Sequence, residues 1–413
     1  FESTKHATFE TCLKLRLPCT LVQSSFILCS HLISLVLPWI LKHIWALTGD
    51  MHSKLCIYIL LQTFFKSIEE GVDRHIHFTH VSLLMRALQP LFEKEHAMTI
   101  PRTPLKKETL ASTFHVEVCI VAAKDYRNDY TDYVEMTAYF GAMLNSVNLI
   151  YELMRSPKVH FQLNGVTVWN STKVISYVKN LVDGPKTLDT LSDLVRTDCF
   201  GICDAVVLIT RDKIAIEQGR REGTASGLAG TGLICTERKV AIVHDKPHSY
   251  AAVTTLAHEL AHLLGARHDG EGPIKPQNKQ NCLSNLGYLM GTGDALGENK
   301  YKLSICTMNQ IQTRYSILSS SCINVRAEPY EKTKEFPGKN MTRENLCKFL
   351  LGPTARPSHV DSEYTKCNIR CCNFDRVDTG PLCTAHKLLD GMECSQSKTC
   401  KKGICGEYDW PAA

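Results

Sequence analysis

His258-Glu259-Leu260-Ala261-His262-Leu263-Leu264-Gly265-Ala266-Arg267-His268 is the stretch on which the reading of this chain turns. Residues four apart on an α-helix face the same way, so His258 and His262 can present two imidazoles to one point while Glu259 projects beside them. Gly265 can take the positive φ that ends a helix and turns the chain. His268 then swings back as a third imidazole instead of continuing along the axis. Three neutral imidazoles with one open position describe a catalytic zinc, because a structural zinc is closed by a fourth protein ligand. Zinc lowers the pKa of bound water to about 7, and Glu259 stands ready to take that proton during attack on a carbonyl and pass it to the leaving amine. The expected chemistry is peptide hydrolysis with no serine or cysteine nucleophile. Ordinary core histidines on an Ala/Leu-rich helix are the alternative, but a glycine and a third histidine at fixed offsets make a chance match far rarer than a bare HExxH.

Working outward, residues 116–122 read as a short apolar strand and 130–154 as a helix. In that helix Phe140, Met143, Leu144, Val147, Ile150 and Met154 recur at three- and four-residue steps. Residues 159–169 alternate as a strand, 186–196 read as a short helix, and 205–210 form a continuous apolar run typical of a buried strand. A glycine-rich stretch at 223–232 precedes a β-like run at 239–243, and the helix carrying the chemistry begins near Ser249. A sheet backed by helices follows. After Cys322 the composition shifts toward proline and charge, which marks a linker at 328–343 and a separate tail at 344–413.

The chain has 413 residues, 44% hydrophobic and 22% charged, with a formal net charge of +5. That is ordinary for a globular protein, and the absence of a concentrated basic run leaves no electrostatic footprint for nucleic acid. Its 19 cysteines are more informative, since eight lie between Cys347 and Cys405. They are read as disulfides, and hence as a sign of export, over structural zinc sites, because their spacings do not pair into two CxxC knuckles. So small a tail should hold together by its bridges, with sparse regular structure. Asn170 and Asn340 open Asn-x-Ser/Thr tripeptides, read as glycosylation acceptors with accidental occurrence as the alternative.

The front of the chain is read separately. Residues 1–50 are of uncertain standing, 51–67 have the charged start and apolar run of a signal peptide, and 68–112 would be a short propeptide or linker. The apolar stretch at 20–41 is read as a buried helix or read-through sequence in preference to a membrane anchor. His75, His77 and His80 are read as incidental, lacking a helix that carries a carboxylate beside them.

The zinc stretch together with Asp269 resembles the extended signature of the metzincins, in their reprolysin (adamalysin or ADAM-type) branch. That resemblance implies an α/β (α+β) catalytic domain over 113–327, with a mixed twisted sheet and a zinc helix, followed by a small disulfide-rich irregular domain. It implies a methionine turn, for which Met290 is the candidate, an edge strand between 227 and 243 that binds extended peptides, and the bridges Cys235–Cys322 and Cys282–Cys306. Glu117, Asp204 and Asn324 fall where related proteases hold a structural calcium, with solvated or capping roles as the alternative. The tail, through residues 390–400 and 403–405, resembles the cysteine-rich module of ADAM proteins with thrombospondin motifs. The whole arrangement resembles secreted salivary reprolysins of blood-feeding ticks, implying extracellular protein substrates such as fibrinogen, fibronectin or gelatin. The propeptide is shorter than in those families, which puts latency by a zinc-blocking cysteine in doubt. Two rivals stand beside the endopeptidase reading. One is an adhesion or anti-adhesion protein acting through the tail, with Arg376-Val377-Asp378 as a candidate integrin-like tripeptide. The other is a membrane-bound sheddase.

Overall fold

The structure is a computed structural model that describes residues 113–411 except 170–173, 198, 219–220, 272–279, 293–295, 326, 330–332, 359–363 and 376–379. The candidate signal peptide, the apolar stretch at 20–41, His75, His77, His80, Asn170 and the Arg376-Val377-Asp378 tripeptide lie outside the described residues.

Strand β1 (Thr113–Ala123) is buried along nearly its whole length. It runs parallel to β2 (Lys158–Trp169) on one side and to β5 (Ala205–Thr210) on the other. A strand covered on both faces has no use for alternation, which is why β1 and β5 read as continuous apolar runs while β2, at the sheet edge, alternates. The connection from β1 to β2 is α1 (Tyr133–Tyr151), shorter than the 130–154 expected because Asp132 caps it by accepting from the Glu135 amide. Its core face carries Phe140, Met143, Leu144, Val147 and Ile150, as the periodicity predicts.

Between β2 and β5 lie β3 (Tyr177–Val178), β4 (Leu181–Asp183) and α2 (Gly184–Arg196), the last capped by Asp183 with proline in its first turn. After β5, β6 (Ile214–Gln218) and β7 (Arg221–Ala225) pair with β4 and β3 into a second, four-stranded sheet in the order β3-β4-β6-β7. The glycine-rich stretch is thus partly strand. Beyond a bend, β8 (Gly227–Ala229) joins the main sheet antiparallel to β9 (Val240–His244), which itself lies parallel to β5. The main sheet runs β2-β1-β5-β9-β8, mixed by virtue of this one edge.

The zinc helix α3 (Val253–Leu263) starts later than Ser249, because His248 and Tyr250 hold positive φ angles that no helix accommodates. It packs on α1, where the Tyr151 hydroxyl donates to the Ala257 carbonyl at 2.8 Å. Helix α4 (Ile305–Tyr315) follows. The bridges Cys235–Cys322 and Cys282–Cys306 are both present, and a third, Cys119–Cys203, ties β1 to the segment before β5.

Residues 333–335 lie against α1 and do not hang free, since Asn145 Nδ2 donates to the Thr333 and Glu335 carbonyls at 2.9 and 2.8 Å. The tail holds more regular structure than the sparse amount expected. It has a helix, α5 (Arg343–Leu351), and two three-stranded sheets, β10 (Arg356–Pro357) with β11 (Asn368–Asn373) and β12 (Leu382–Lys387), and β13 (Glu393–Ser395) with β14 (Lys398–Lys401) and β15 (Ile404–Gly406). Six of the eight bridging cysteines sit inside these strands, with Cys347 in α5 and Cys367 just before β11, and the bridges Cys347–Cys371, Cys367–Cys400, Cys372–Cys383 and Cys394–Cys405 tie these elements together, Cys372 and Cys383 being also a ladder pair. Leu346, Leu350, Ile369, Leu388 and Met392 pack with them into a small core.

Candidate active site

Helix α3 places His258 and His262 one turn apart, and Gly265, at φ 103°, turns the chain so that His268 faces back toward them. The His268 Nε2 lies 3.2 Å from the Nε2 of His258 and 3.2 Å from that of His262. Every Nδ1 faces an oxygen: His258 the Leu289 carbonyl at 2.9 Å, His262 the Ala266 carbonyl at 2.8 Å, and His268 the Glu271 carboxylate at 3.4 Å. With its Nδ1 proton engaged by a carbonyl, a neutral imidazole carries a lone pair on Nε2. Three such lone pairs this close repel unless a cation lies among them. Two nitrogens bound tetrahedrally at the usual zinc distance stand about 3.3 Å apart, so the donor set fits the metal. Burial holds the His258 pKa down to about 3 and that of His262 to about 4, so neither competes for the site as a cation.

Glu259 projects from the same helix and is only 4% exposed, with its Oε2 buried and unpartnered. Burial raises its carboxyl to about 8. A neighbouring metal charge acts the other way and favours the carboxylate. Glu259 lies against the edge strand, so closely that Gly227 of β8 has no room for a side chain there.

Met290 is buried beside the histidines and its carbonyl accepts from the Asp269 amide at 2.9 Å. Asp269, also buried, accepts from the Ser304 hydroxyl at 2.6 Å, which locks the turn after His268 onto the start of α4. An open cleft of about 440 Å³ adjoins the triad, lined by His258, His268, Asp269, Met290 and Thr292 among others.

Away from this centre, Glu117 and Asp204 are fully buried and joined by two backbone contacts, the Glu117 amide donating to Asp204 Oδ2 at 2.9 Å and the Asp204 amide to the Glu117 carbonyl at 2.6 Å. Asn324 is exposed, two residues beyond Cys322, whose sulfur lies within 4.8 Å of the Asp204 carboxylate. Asn340 is exposed in a turn before α5. The spacing of motifs did not reveal Lys300, whose Nζ donates to the same Leu289 carbonyl at 3.3 Å and which carries no periodic or motif signal of its own; Gly227 falls at the start of the expected edge strand, but nothing in the sequence announces its packing against Glu259.

Comparison with known proteins agrees with this geometry: a family model of the reprolysin type, described as Metallo-peptidase family M12, matches residues 112–301. The chain carries a reprolysin-type M12 metallopeptidase domain. The family is one of zinc metalloendopeptidases, and zinc is its metal. A venom metalloproteinase of the antarease-like kind from Tityus trivittatus is 29% identical over 227 residues, 50% of this chain and 57% of that protein. A counterpart from Tityus fasciolatus is 28% identical over 50% of this chain and 95% of its own length. A Bombyx mori protein named as a disintegrin and metalloproteinase with thrombospondin motifs like is 24% identical over 324 residues, 73% of this chain and 45% of that protein. The chain therefore spans about half the length of the first and third of these relatives. That last alignment is longer than the reprolysin domain itself.

Proposed function

We propose that this protein is a secreted, zinc-dependent endopeptidase acting on extracellular proteins, with Glu259 as general base and His258, His262 and His268 holding the metal. The observation that carries the reading is the convergence of three Nε2 lone pairs at 3.2 Å contacts beside a buried, unpartnered carboxylate. His258, His262 and His268 would hold zinc, which would supply Lewis acidity toward the scissile carbonyl and toward a water. Glu259 accepts that water's proton at its carboxylate and delivers it to the departing amine nitrogen. Leu289 and Ala266 keep the imidazoles in the ligating tautomer through their carbonyls. The edge strand β8, antiparallel to β9 and open on its other side in the main sheet, offers backbone groups for an extended peptide. Met290 forms the floor beneath the ligands.

Secretion is supported by the seven disulfides among the described residues, since such bridges form and persist in oxidising compartments. Among the described residues no helix is long and apolar enough to cross a membrane. Matrix or clotting proteins such as fibrinogen, fibronectin or gelatin are the substrates proposed, Asn340 a glycosylation site, and Glu117, Asp204 and Asn324 a structural calcium site. The test is cleavage of gelatin and fibrinogen by the wild type and Glu259→Ala, with and without a chelator. Cleavage should vanish in the variant and in the chelated sample, and zinc should restore the latter. An inert wild type that binds zinc and is folded would pass the case to the tail as an adhesion module.

A further inference from the structure

The carbonyl oxygen of Leu289 receives two donors, His258 Nδ1 at 2.9 Å and Lys300 Nζ at 3.3 Å. The Leu289 amide donates to the Lys302 carbonyl at 3.0 Å, so both polar groups of this peptide are held by one short segment. Leu289 is fully buried, so its carbonyl depends on partners inside the fold. The other two ligands are oriented differently. His262 leans on a carbonyl four residues along its own turn, and His268 on the exposed Glu271. Only His258 depends on a carbonyl that a distant side chain fixes.

Lys300 is partly buried, and burial lowers its pKa. Lys300 lines a cavity of about 250 Å³ together with the tail residues Leu346, Leu350, Leu388 and Asp390. An ammonium kept in such a place needs a strong acceptor, and a carbonyl with two lone pairs can serve both it and the imidazole.

We infer that Lys300 is a positioning residue for the metal site: it fixes the Leu289 carbonyl that orients His258, and the tail, by walling in the lysine, supports that contact. The inference rests on the zinc reading above. A charged donor restricts the direction of the carbonyl, and an imidazole held in one direction loses less freedom when it ligates. Through this chain the cysteine-rich tail reaches the metal centre without contributing a ligand.

The experiment measures the zinc Kd of the full chain by competition with a chromophoric chelator, for wild type, Lys300→Met and Lys300→Arg, alongside the melting temperature of each chelator-stripped protein. Lys300→Met should weaken zinc binding about tenfold, and Lys300→Arg should return it to within about threefold of wild type. The metal-free melting temperatures should agree. Unchanged zinc affinity in Lys300→Met overturns the inference, as does equal weakening in Lys300→Arg or a loss that follows a lowered metal-free melting temperature. Should Lys300→Met fail to fold, Lys300→Gln, which keeps a polar tip without the charge, takes its place under the same criteria. A wild type that takes up no zinc is a different result, since it defeats the metallopeptidase reading itself and the inference with it.

Discussion

Replacing Gly227 by alanine tests whether Glu259 acts from the position the structure gives it. A β-carbon at 227 would lie 2.7 Å from Glu259 Cγ and 2.8 Å from its Cδ, and closer still to Oε1. Non-bonded carbons settle at about 3.5 to 4 Å, so the side chain must retreat by about 1 Å. The strand cannot easily yield instead, because Gly227 is laddered to Val243. Overpacking of this kind costs about 1–3 kcal/mol of stability, which a disulfide-braced domain can survive. A misplacement of about 1 Å in a catalytic group costs on the order of 100-fold in rate. The expected result is therefore a kcat on a quenched fluorogenic peptide about 100-fold below wild type, with KM little changed and one zinc still bound, since none of the three ligands is among the groups nearest the new methyl. A folded, zinc-loaded Gly227→Ala protein whose kcat stays within about threefold of wild type would refute the reasoning.

Two further outcomes follow from the frame around the site. Burial raises the Asp245 carboxyl from 3.8 to about 6, so its contribution to stability is fully present below pH 3.8 and is lost as pH rises through 6. Relative to Asp245→Asn, the wild type should lose about 2 kcal/mol between pH 4 and pH 7, read as the shift in urea midpoints at the two pH values, and a pH-independent difference would contradict it. Cys119–Cys203 closes a separation of 84 residues, so the paired replacement by alanine should cost about 4 kcal/mol in equilibrium unfolding, and a cost below about 1 kcal/mol would show that the unfolded chain gains little freedom from its removal.

What was legible in the sequence was local. Two histidines four apart need only helix geometry to share a face, and the return of His268 needs only the positive φ of Gly265 one turn later. Continuous apolar runs announced β1 and β5 because burial on both faces erases alternation. The start of α3 was misplaced because His248 and Tyr250 are non-glycine residues at positive φ, a conformation imposed from outside the segment. The partner of Cys119 lies 84 residues away and no spacing rule selects it. The small sheet was missed because its strands are short and one of them, β7, runs into the glycine-rich stretch whose composition signals loop. Lys300 acts through a main-chain carbonyl, which accepts regardless of the residue that bears it, and so leaves no trace in the sequence at position 289.

The loop before the zinc helix shows how such non-local constraint is organised. Asp245 accepts from the hydroxyls of Tyr126 and Tyr139, each at 2.7 Å, and from the Ala252 amide at 2.9 Å, where α3 begins. The Tyr139 hydroxyl in turn accepts from the Tyr250 amide at 2.8 Å, and Tyr130 accepts from that of His248 at 3.3 Å. The two positive-φ residues are thus held through their amides by tyrosines of the preceding elements, and their strain is offset by a buried hydrogen-bond network. The same loop receives the tail: Lys246 Nζ donates to the Leu350 carbonyl at 2.6 Å, at the end of α5 where carbonyls lack helical partners, and the His248 ring lies 5.1 Å from that of Phe349. His258 and His262 on α3 and the tail contacts of the loop before it are therefore joined through one helix, whose entry is held by Asp245. A catalytic centre that tolerates little displacement is served by bracing at that entry, which gives the cysteine-rich tail a structural reason to pack where it does.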